Sequence, residues 1–444
     1  MLIRNCFGLL LLLAALPVWA QEEPSEPVPP AVNAAATEDR MVTPAAVSIE
    51  GMSLAFVSEE RKNLMRVGLT VGGFFDDNAL SPAAAVVSDE SYSIAPNILL
   101  NQARGRLEWD LSYRPAFLFY QHYTELNQSD HKLAVDFSYR LSPHVTMKLR
   151  DDFERGQIAT GFFSVDGSGT FLSGLQGANN SIIAPLADRL DNLASAELTY
   201  QFSPGSMIGV NGLSRELHYL DRSQLPGLYD SSTRQASAFY GHRISHKHYV
   251  GVGYQFQDLL SLPNQSDAHA HTAFLFYTVY LQSRLTLSFF GGPQYALTSG
   301  TAVLSGHKFS PSAGVTLTWQ GQHSSFASQF TRRITDGGGL QGAVQSNDVN
   351  GTIRHGLTRS LTMGLGSDYF TNSIVNGTQF TAIRGHTISG TASLDIALSP
   401  HLSAGLSYTR LHQTYSGIQA LSGAADRNRA SVVISYQFDR PLGK

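Results

Sequence analysis

Residues 107–119 read Leu107-Glu108-Trp109-Asp110-Leu111-Ser112-Tyr113-Arg114-Pro115-Ala116-Phe117-Leu118-Phe119. Leu107, Trp109, Leu111, Tyr113, Phe117 and Phe119 share one parity, while Arg106, Glu108, Asp110, Ser112 and Arg114 share the other. Successive side chains of a strand point to opposite sides, so a period of two marks a strand whose faces meet different surroundings. The pattern repeats along the chain. Leu133, Val135, Phe137, Tyr139 and Leu141 oppose Lys132, Ala134, Asp136, Ser138 and Arg140. Val145, Met147 and Leu149 oppose Thr146, Lys148, Arg150 and Asp152. Phe309, Ala313, Val315, Leu317 and Trp319 oppose Ser310, Ser312, Gly314, Thr316 and Thr318. At the end, Ala430, Val432, Ile434, Tyr436 and Phe438 oppose Arg429, Ser431, Val433, Ser435 and Gln437.

The connections alternate in length. Short ones carry turn residues, as in Leu141-Ser142-Pro143-His144, Ser203-Pro204-Gly205-Ser206 and Leu398-Ser399-Pro400-His401. Long polar ones lie between, as in Asp77 to Asp89, Tyr123 to Asp130 and Ser416 to Asp426. This gives about eighteen strands (16–18) in up-and-down order. A soluble sandwich also alternates, but its turns do not sort into a short set and a long set. A transmembrane antiparallel β-barrel does, and closure pairs every backbone group without water. Aromatics on the apolar face before short turns (Tyr139, Tyr200, Phe202, Tyr280, Trp319, Tyr436, Phe438) read as a girdle at headgroup level. Three features resist the pattern. Pro115, Pro293 and Pro311 fall inside strands, Asp151 falls on an apolar face, and both faces are partly apolar in 207–220 and 269–281.

Composition narrows the class. The 444 residues hold Lys+Arg 31 against Asp+Glu 35, a formal net charge of −4. Charged residues are 15%, yet mean hydropathy is only −0.10, so Ser, Thr, Asn, Gln and Gly replace charge. This excludes a polytopic helical membrane protein, which needs repeated apolar runs. It also argues against nucleic-acid binding, which draws on a Lys/Arg excess. The single cysteine, Cys6, excludes an intramolecular disulfide. Arg4, the apolar run Leu9 to Leu16 and Val18-Trp19-Ala20 describe a signal peptide over 1–20. Residues 21–62, with Pro24, Pro27, Pro29, Pro30 and Pro44, read as a periplasmic linker. The barrel is expected over 63–438, and 439–444 is expected to be a tail.

Phe74-Phe75-Asp76-Asp77-Asn78, the Arg332-Arg333-Ile334-Thr335-Asp336-Gly337-Gly338-Gly339-Leu340 turn and the terminal Tyr436-Gln437-Phe438 resemble outer-membrane β-barrel porin families of Gram-negative-type bacteria. Those families include barrels encoded with exopolysaccharide clusters. The resemblance implies a cell outer-membrane location and a porin-like, water-filled pore for small polar solutes. A structural barrel assisting polysaccharide export is the alternative it implies, and an outer-membrane enzyme is a third reading. Implied partners are outer-membrane lipid and lipopolysaccharide, the barrel-assembly machinery, and small polar solutes or polysaccharide. Monomer and homo-oligomer are both compatible with the strand count.

Eleven charged side chains, Arg106, Glu108, Asp110, Arg114, Lys132, Asp136, Arg140, Lys148, Arg150, Asp152 and Glu154, are expected to line the pore. Opposed charges on such a wall can steer polar solutes, though pairing across strands is the plainer reading. The loop from Gly156 to Asn192 is too apolar to extend into water, and is expected either to fold into the lumen as a constriction or to form a lid at the mouth or a contact with a neighbouring subunit. Gly337-Gly338-Gly339 reads as a tight external turn, and His144, His248, His323 and His401 as solvated turn residues. His269 and His271 share a face but lack an evident third ligand, so no metal and no cofactor is expected. No G-x-S-x-G, H-E-x-x-H or phosphate loop points to an enzyme.

Overall fold

The computed structural model describes residues 41–48, 63–79, 86–157, 188–220, 227–262, 266–282, 284–300, 305–376, 384–416 and 423–442. Eighteen strands follow in chain order: β1 Leu64–Asp76, β2 Asp89–Arg104, β3 Leu107–Tyr120, β4 Gln128–Arg140, β5 Val145–Gln157, β6 Asp188–Ser203, β7 Ser206–Tyr219, β8 Asp230–Ser245, β9 His248–Leu262, β10 Ser266–Gln282, β11 Leu285–Ser299, β12 Gly306–Gln320, β13 Ser324–Thr335, β14 Val344–Gly356, β15 Leu361–Ile374, β16 Arg384–Ala397, β17 Leu402–Ser416 and β18 Gly423–Pro441. Each pairs antiparallel with its neighbours, and β1 pairs with β18, so the sheet closes on itself. Among the described residues, no helix is long and apolar enough to cross a membrane.

The outside of the cylinder is the apolar parity. Val67, Leu69, Val71 and Phe75 on β1, Tyr408 and Leu406 on β17, and Val432, Ile434, Tyr436 and Phe438 on β18 are all exposed. Leu275 is 66% and Phe309 69% exposed. Their neighbours Thr70, Asp76, Ser407, Thr409, Ser431 and Ser435 are buried in the interior. A closed sheet with an oily exterior and a hydrogen-bonding interior is the geometry a bilayer demands of strands. The chain is a membrane-spanning β-barrel.

The short turns share one rim and are built by hydroxyls. In Leu141-Ser142-Pro143-His144, Ser142 Oγ accepts from the amides of His144 (3.2 Å) and Val145 (3.0 Å). In Leu398-Ser399-Pro400-His401, Ser399 Oγ accepts from His401 (3.3 Å) and Leu402 (3.0 Å). His144 and His401 are not merely solvated. Each imidazole Nδ1 reaches a carbonyl of the following strand pair, Gln201 O at 3.1 Å and Gln437 O at 3.0 Å. The same tetrapeptide thus makes the same turn twice, because Ser favours local capping and Pro fixes φ.

The closing seam is stapled at both ends. Beside the short-turn rim, Arg66 Nε donates to Asp439 Oδ1 at 2.8 Å, and Leu64 pairs with Pro441. Residues 439–441 therefore belong to the last strand rather than to a tail. At the long-loop rim, Arg427 pairs with Asp76, and both side chains are almost fully buried, at 4% and 2% exposure. Asp77 accepts from the Asn428 amide at 2.6 Å, and Asn78 Nδ2 donates to Asp426 O at 2.9 Å. The Phe74-to-Asn78 motif is thus the clasp joining first strand to last. Phe75 points out, while Phe74 turns in beneath the Arg429 guanidinium, 4.3 Å from the ring centroid.

The three awkward features have separate explanations. Pro293 and Pro311 stand opposite each other on β11 and β12. Pro115 lies where the β2–β3 pairing is skipped between Ile94–Phe117 and Ile98–Tyr113. Both are places where a missing N–H costs little. No bulge reverses β5: Asp151 stays in register with Val135, on the outer parity, and accepts from Asn192 Nδ2 at 3.2 Å. The doubly apolar strands have an inner face that is itself covered, as described next.

Candidate functional site: a partly filled lumen

The interior has two unlike walls. Along β2–β5 it is polar and carries most of the charges singled out in sequence. Glu108, Asp110 and Arg114 lie on the inner parity of β3, opposite Ser138, Asp136 and Lys132 of β4. Asp110 accepts from Asn101 Nδ2 of β2. Lys132 faces Glu154 of β5 at 3.3 Å. Arg150 lies 2.5 Å from Asp152 and 3.8 Å from Asp136. Lys148 stands opposite Ser138 and Glu197. Arg106 and Arg140 sit lower, at the short-turn rim, donating to Leu141 O (3.5 Å) and Gly105 O (3.1 Å). Lys132 with Glu154 and Arg150 with Asp136 set opposite charges against each other across strands, an arrangement that stabilises a polar wall.

The opposite wall, β7–β11, is apolar inside, and it is covered by the chain's own segments. Residues 41–48, expected within a periplasmic linker, lie against this wall near the short-turn rim. Met41 and Val47 are buried with Met207, Phe239, Tyr249, Phe274 and Phe276, while Ala46, Tyr280 and Phe290 pack beside them. The Met41 amide donates to Gln201 Oε1 at 3.0 Å, Thr43 Oγ1 to Glu197 Oε1 at 3.0 Å, and Asn211 Nδ2 to Val47 O at 2.5 Å. Bare backbone makes room: a Cβ on Gly209 would stand 2.3 Å from the Phe239 ring, and one on Gly251 2.2 Å from Phe276. Tyr280 corrects the girdle reading. It stacks edge-on to Tyr249 at 5.6 Å within this inner cluster, because it shares the inward parity of Phe274, Phe276 and Thr278 on β10. Tyr200, Phe202, Trp319, Tyr436 and Phe438 are exposed on the outer face, and Tyr139 is half-buried on the same parity.

A second segment fills the other half of this wall. β12 pairs with β13 only up to Ala313–Arg332, so the upper end of β13 leaves its neighbour. The connection 336–343 then turns inward, and the external-turn reading of Gly337-Gly338-Gly339 fails. The Ile334 amide donates to Gln294 Oε1 of β11 (3.2 Å), the Gly342 amide to Ser261 Oγ of β9 (3.1 Å), and the Tyr219 hydroxyl of β7 to Gly338 O (2.8 Å). The Tyr229 amide donates to Gly339 O at 2.8 Å. Ile334 and Ala343 pack on Leu259, Ala268, Ala270 and Ala296. Small inward alanines on β10 and β11 let the loop lie close to the sheet. Glycine is required at 339, where φ is +93° and a Cβ would stand 2.6 Å from the Tyr219 ring.

The first residue of this connection brings charge into the interior. Asp336 accepts from Ser231 Oγ at 2.6 Å and acts electrostatically on Arg215 of β7 and Arg333 of β13. Arg215 makes a forked pair with Asp191 of β6, and Arg333 faces Asp348 of β14. With Arg189, Lys132 and Glu154 this makes four basic groups (Lys132, Arg189, Arg215, Arg333) and four acidic ones (Glu154, Asp191, Asp336, Asp348) in one interacting band. Of these, only Lys132 and Glu154 were expected to line the pore; Arg333 and Asp336 were quoted only within the 332–340 turn motif. The others lie in strands whose parity is ambiguous or at strand ends, where alternation says little. The proposed constriction loop 156–192 lies mostly outside the described residues.

Among the described residues, a cavity of about 300 Å³ lies at the short-turn rim. Met41 and Thr43 form one side, and Arg106, Glu108, Arg140 and Lys148 the other. Outside the barrel, Asp258, Asp267 and His269 bring ligand atoms within 4.8 Å of one another. His269 lies 3.2 Å from Asp258 and 3.4 Å from Asp267, so its two ring nitrogens face carboxylates. His271 instead meets the Tyr254 hydroxyl at 2.7 Å.

No family model matches the chain, and no curated protein matches it in sequence. Solved structures do resemble it in shape. OccAB4 of Acinetobacter baumannii is similar at 10% identity and a TM-score of 0.43, covering 86% of this chain and 99% of that one. The outer membrane protein OpdK of Pseudomonas aeruginosa is similar at 10% identity and 0.41, covering 85% and 99%. A bacterial polysaccharide outer membrane secretin is similar at 9% identity and 0.34, covering 85% and 100%. The closed ring of eighteen paired strands and the outward apolar belt make this chain a barrel.

Proposed function

We propose that the chain is an outer-membrane, porin-like channel that passes small polar solutes, with the short-turn rim and the N-terminal segment on the periplasmic side. One observation carries this reading: a charged, cross-paired inner wall on β2–β5 borders the open cavity left by the apolar wall's covering. Paired charges keep water in the passage while presenting both signs to a moving solute. The signal-like sequence over 1–20 and the even strand count agree with export to the outer membrane and with both ends on one side. The role is non-catalytic. Reconstitution of the folded barrel into planar bilayers tests it. Discrete ion-conducting steps above the lipid background are expected, and their absence from barrels shown to be folded by heat-modifiable migration would reject the channel.

A further inference from the structure

We propose that residues 41–48 are a displaceable strap that holds the channel partly shut, and that its release from the β7–β11 wall enlarges the passage; this rests on the channel reading above. The strap lies inside the barrel without being part of it. Its backbone joins no strand ladder, and its internal bonds are those of a single turn, Val47 N to Pro44 O at 3.0 Å and Ser48 N to Pro44 O at 3.1 Å. The barrel closes through β1 and β18 without it. Removing the strap therefore breaks no strand pairing.

Its anchorage among the described residues is non-covalent. Met41, Pro44 and Val47 are buried, Ala46 packs beside them, and hydrogen bonds to Gln201, Glu197 and Asn211 hold the backbone and Thr43. Nothing covalent holds it, since the chain's one cysteine is Cys6. The strap also forms one side of the open cavity, through Met41, Val42 and Thr43. Moving it away merges that cavity with the space over Met207, Phe239 and Phe276. The receiving wall is apolar: the rings of Phe239, Phe276 and Phe274 occupy the space over Gly209, Gly251 and Gly253, giving an aromatic trough against which Met41 and Val47 pack.

The test uses the full-length chain with Met207→Cys as a reporter beneath the strap, and the pair Met41→Asp and Val47→Asp to unseat it. Thiol labelling by a polar maleimide is measured in folded barrels, and single-channel conductance is measured in parallel. Labelling at least about tenfold faster in M41D/V47D, together with a larger unit conductance, supports the proposal. Equal labelling with and without the two aspartates overturns it, as does faster labelling with an unchanged, measurable conductance. Faster labelling with every variant at the lipid background removes the channel reading but supports the strap as a displaceable segment. A Thr43→Cys and Glu197→Cys disulfide gives the converse. The oxidised form is expected to conduct little, and reduction is expected to raise its unit conductance; an oxidised form that conducts as well as the reduced one counts against the proposal.

Discussion

Asp76 and Arg427 show how one residue closes a cylinder. The pair is buried at the long-loop end of the seam, and removing one partner leaves an uncompensated charge inside. Asp76→Ala is expected to cost about 3–5 kcal/mol, read as a lower urea midpoint in lipid vesicles. Asp76→Leu with Arg427→Met is expected to recover most of that loss, because neither charge then remains. Gly339 makes a parallel case for the loop. Its φ of +93° disfavours any side chain, and Tyr219 occupies the space a Cβ would need. Gly339→Val is expected to cost at least about 1–2 kcal/mol by the same measurement. Tyr219→Phe, which removes only the hydroxyl bonded to Gly338 O, is expected to cost less, about 1 kcal/mol.

At the scale of elements, the hairpin β13–β14 departs from an ideal barrel by leaving its neighbour β12. β13 keeps its partner β14 to its upper end but loses β12 above Ala313, and this freedom lets 336–343 fold inward. The amides freed from ladder pairing are not left bare: Ile334 and Gly342 bond to side chains of β11 and β9. Replacing 337–342 by a minimal turn is expected to raise unit conductance, with the barrel retaining its heat-modifiable migration. An unchanged conductance would show that the loop does not narrow the passage.

For the whole molecule, the governing contrast is oily outside against polar or self-filled inside. Val71 lies on the exposed outer parity of β1, beside inward Thr70, whose hydroxyl bonds to Ser435 at 2.8 Å. Val71→Arg is expected to destabilise the barrel by about 2–4 kcal/mol if the site lies near the bilayer midplane, measured by urea unfolding in vesicles. Charge inside acts differently. Four groups of each sign in the interior band imply weak ion selectivity. Arg333→Ala leaves Asp336 and Asp348 in excess, so the reversal potential in a salt gradient is expected to move toward cation preference.

Period-two alternation located most strands and the parity that meets lipid, because a bilayer forces each strand to display one apolar face along its length, and the alternating short and long connections gave the up-and-down order and a count of about eighteen. Leu107 to Phe119 carries that signal, and the side chains expected to line the pore on β3–β5 follow from it by parity. Two features pointed further without saying where. The doubly apolar stretches 207–220 and 269–281 are strands whose inner face is a packing surface, and Gly337-Gly338-Gly339 is a loop that bends toward neighbours instead of solvent. Only the tertiary structure decided what covers those faces. Met41 meets Gln201, and Gly342 meets Ser261, at 160 and 81 residues' remove. Such contacts arise from closure of the cylinder, which brings distant strands around a shared interior, and local periodicity holds no information about what crosses it.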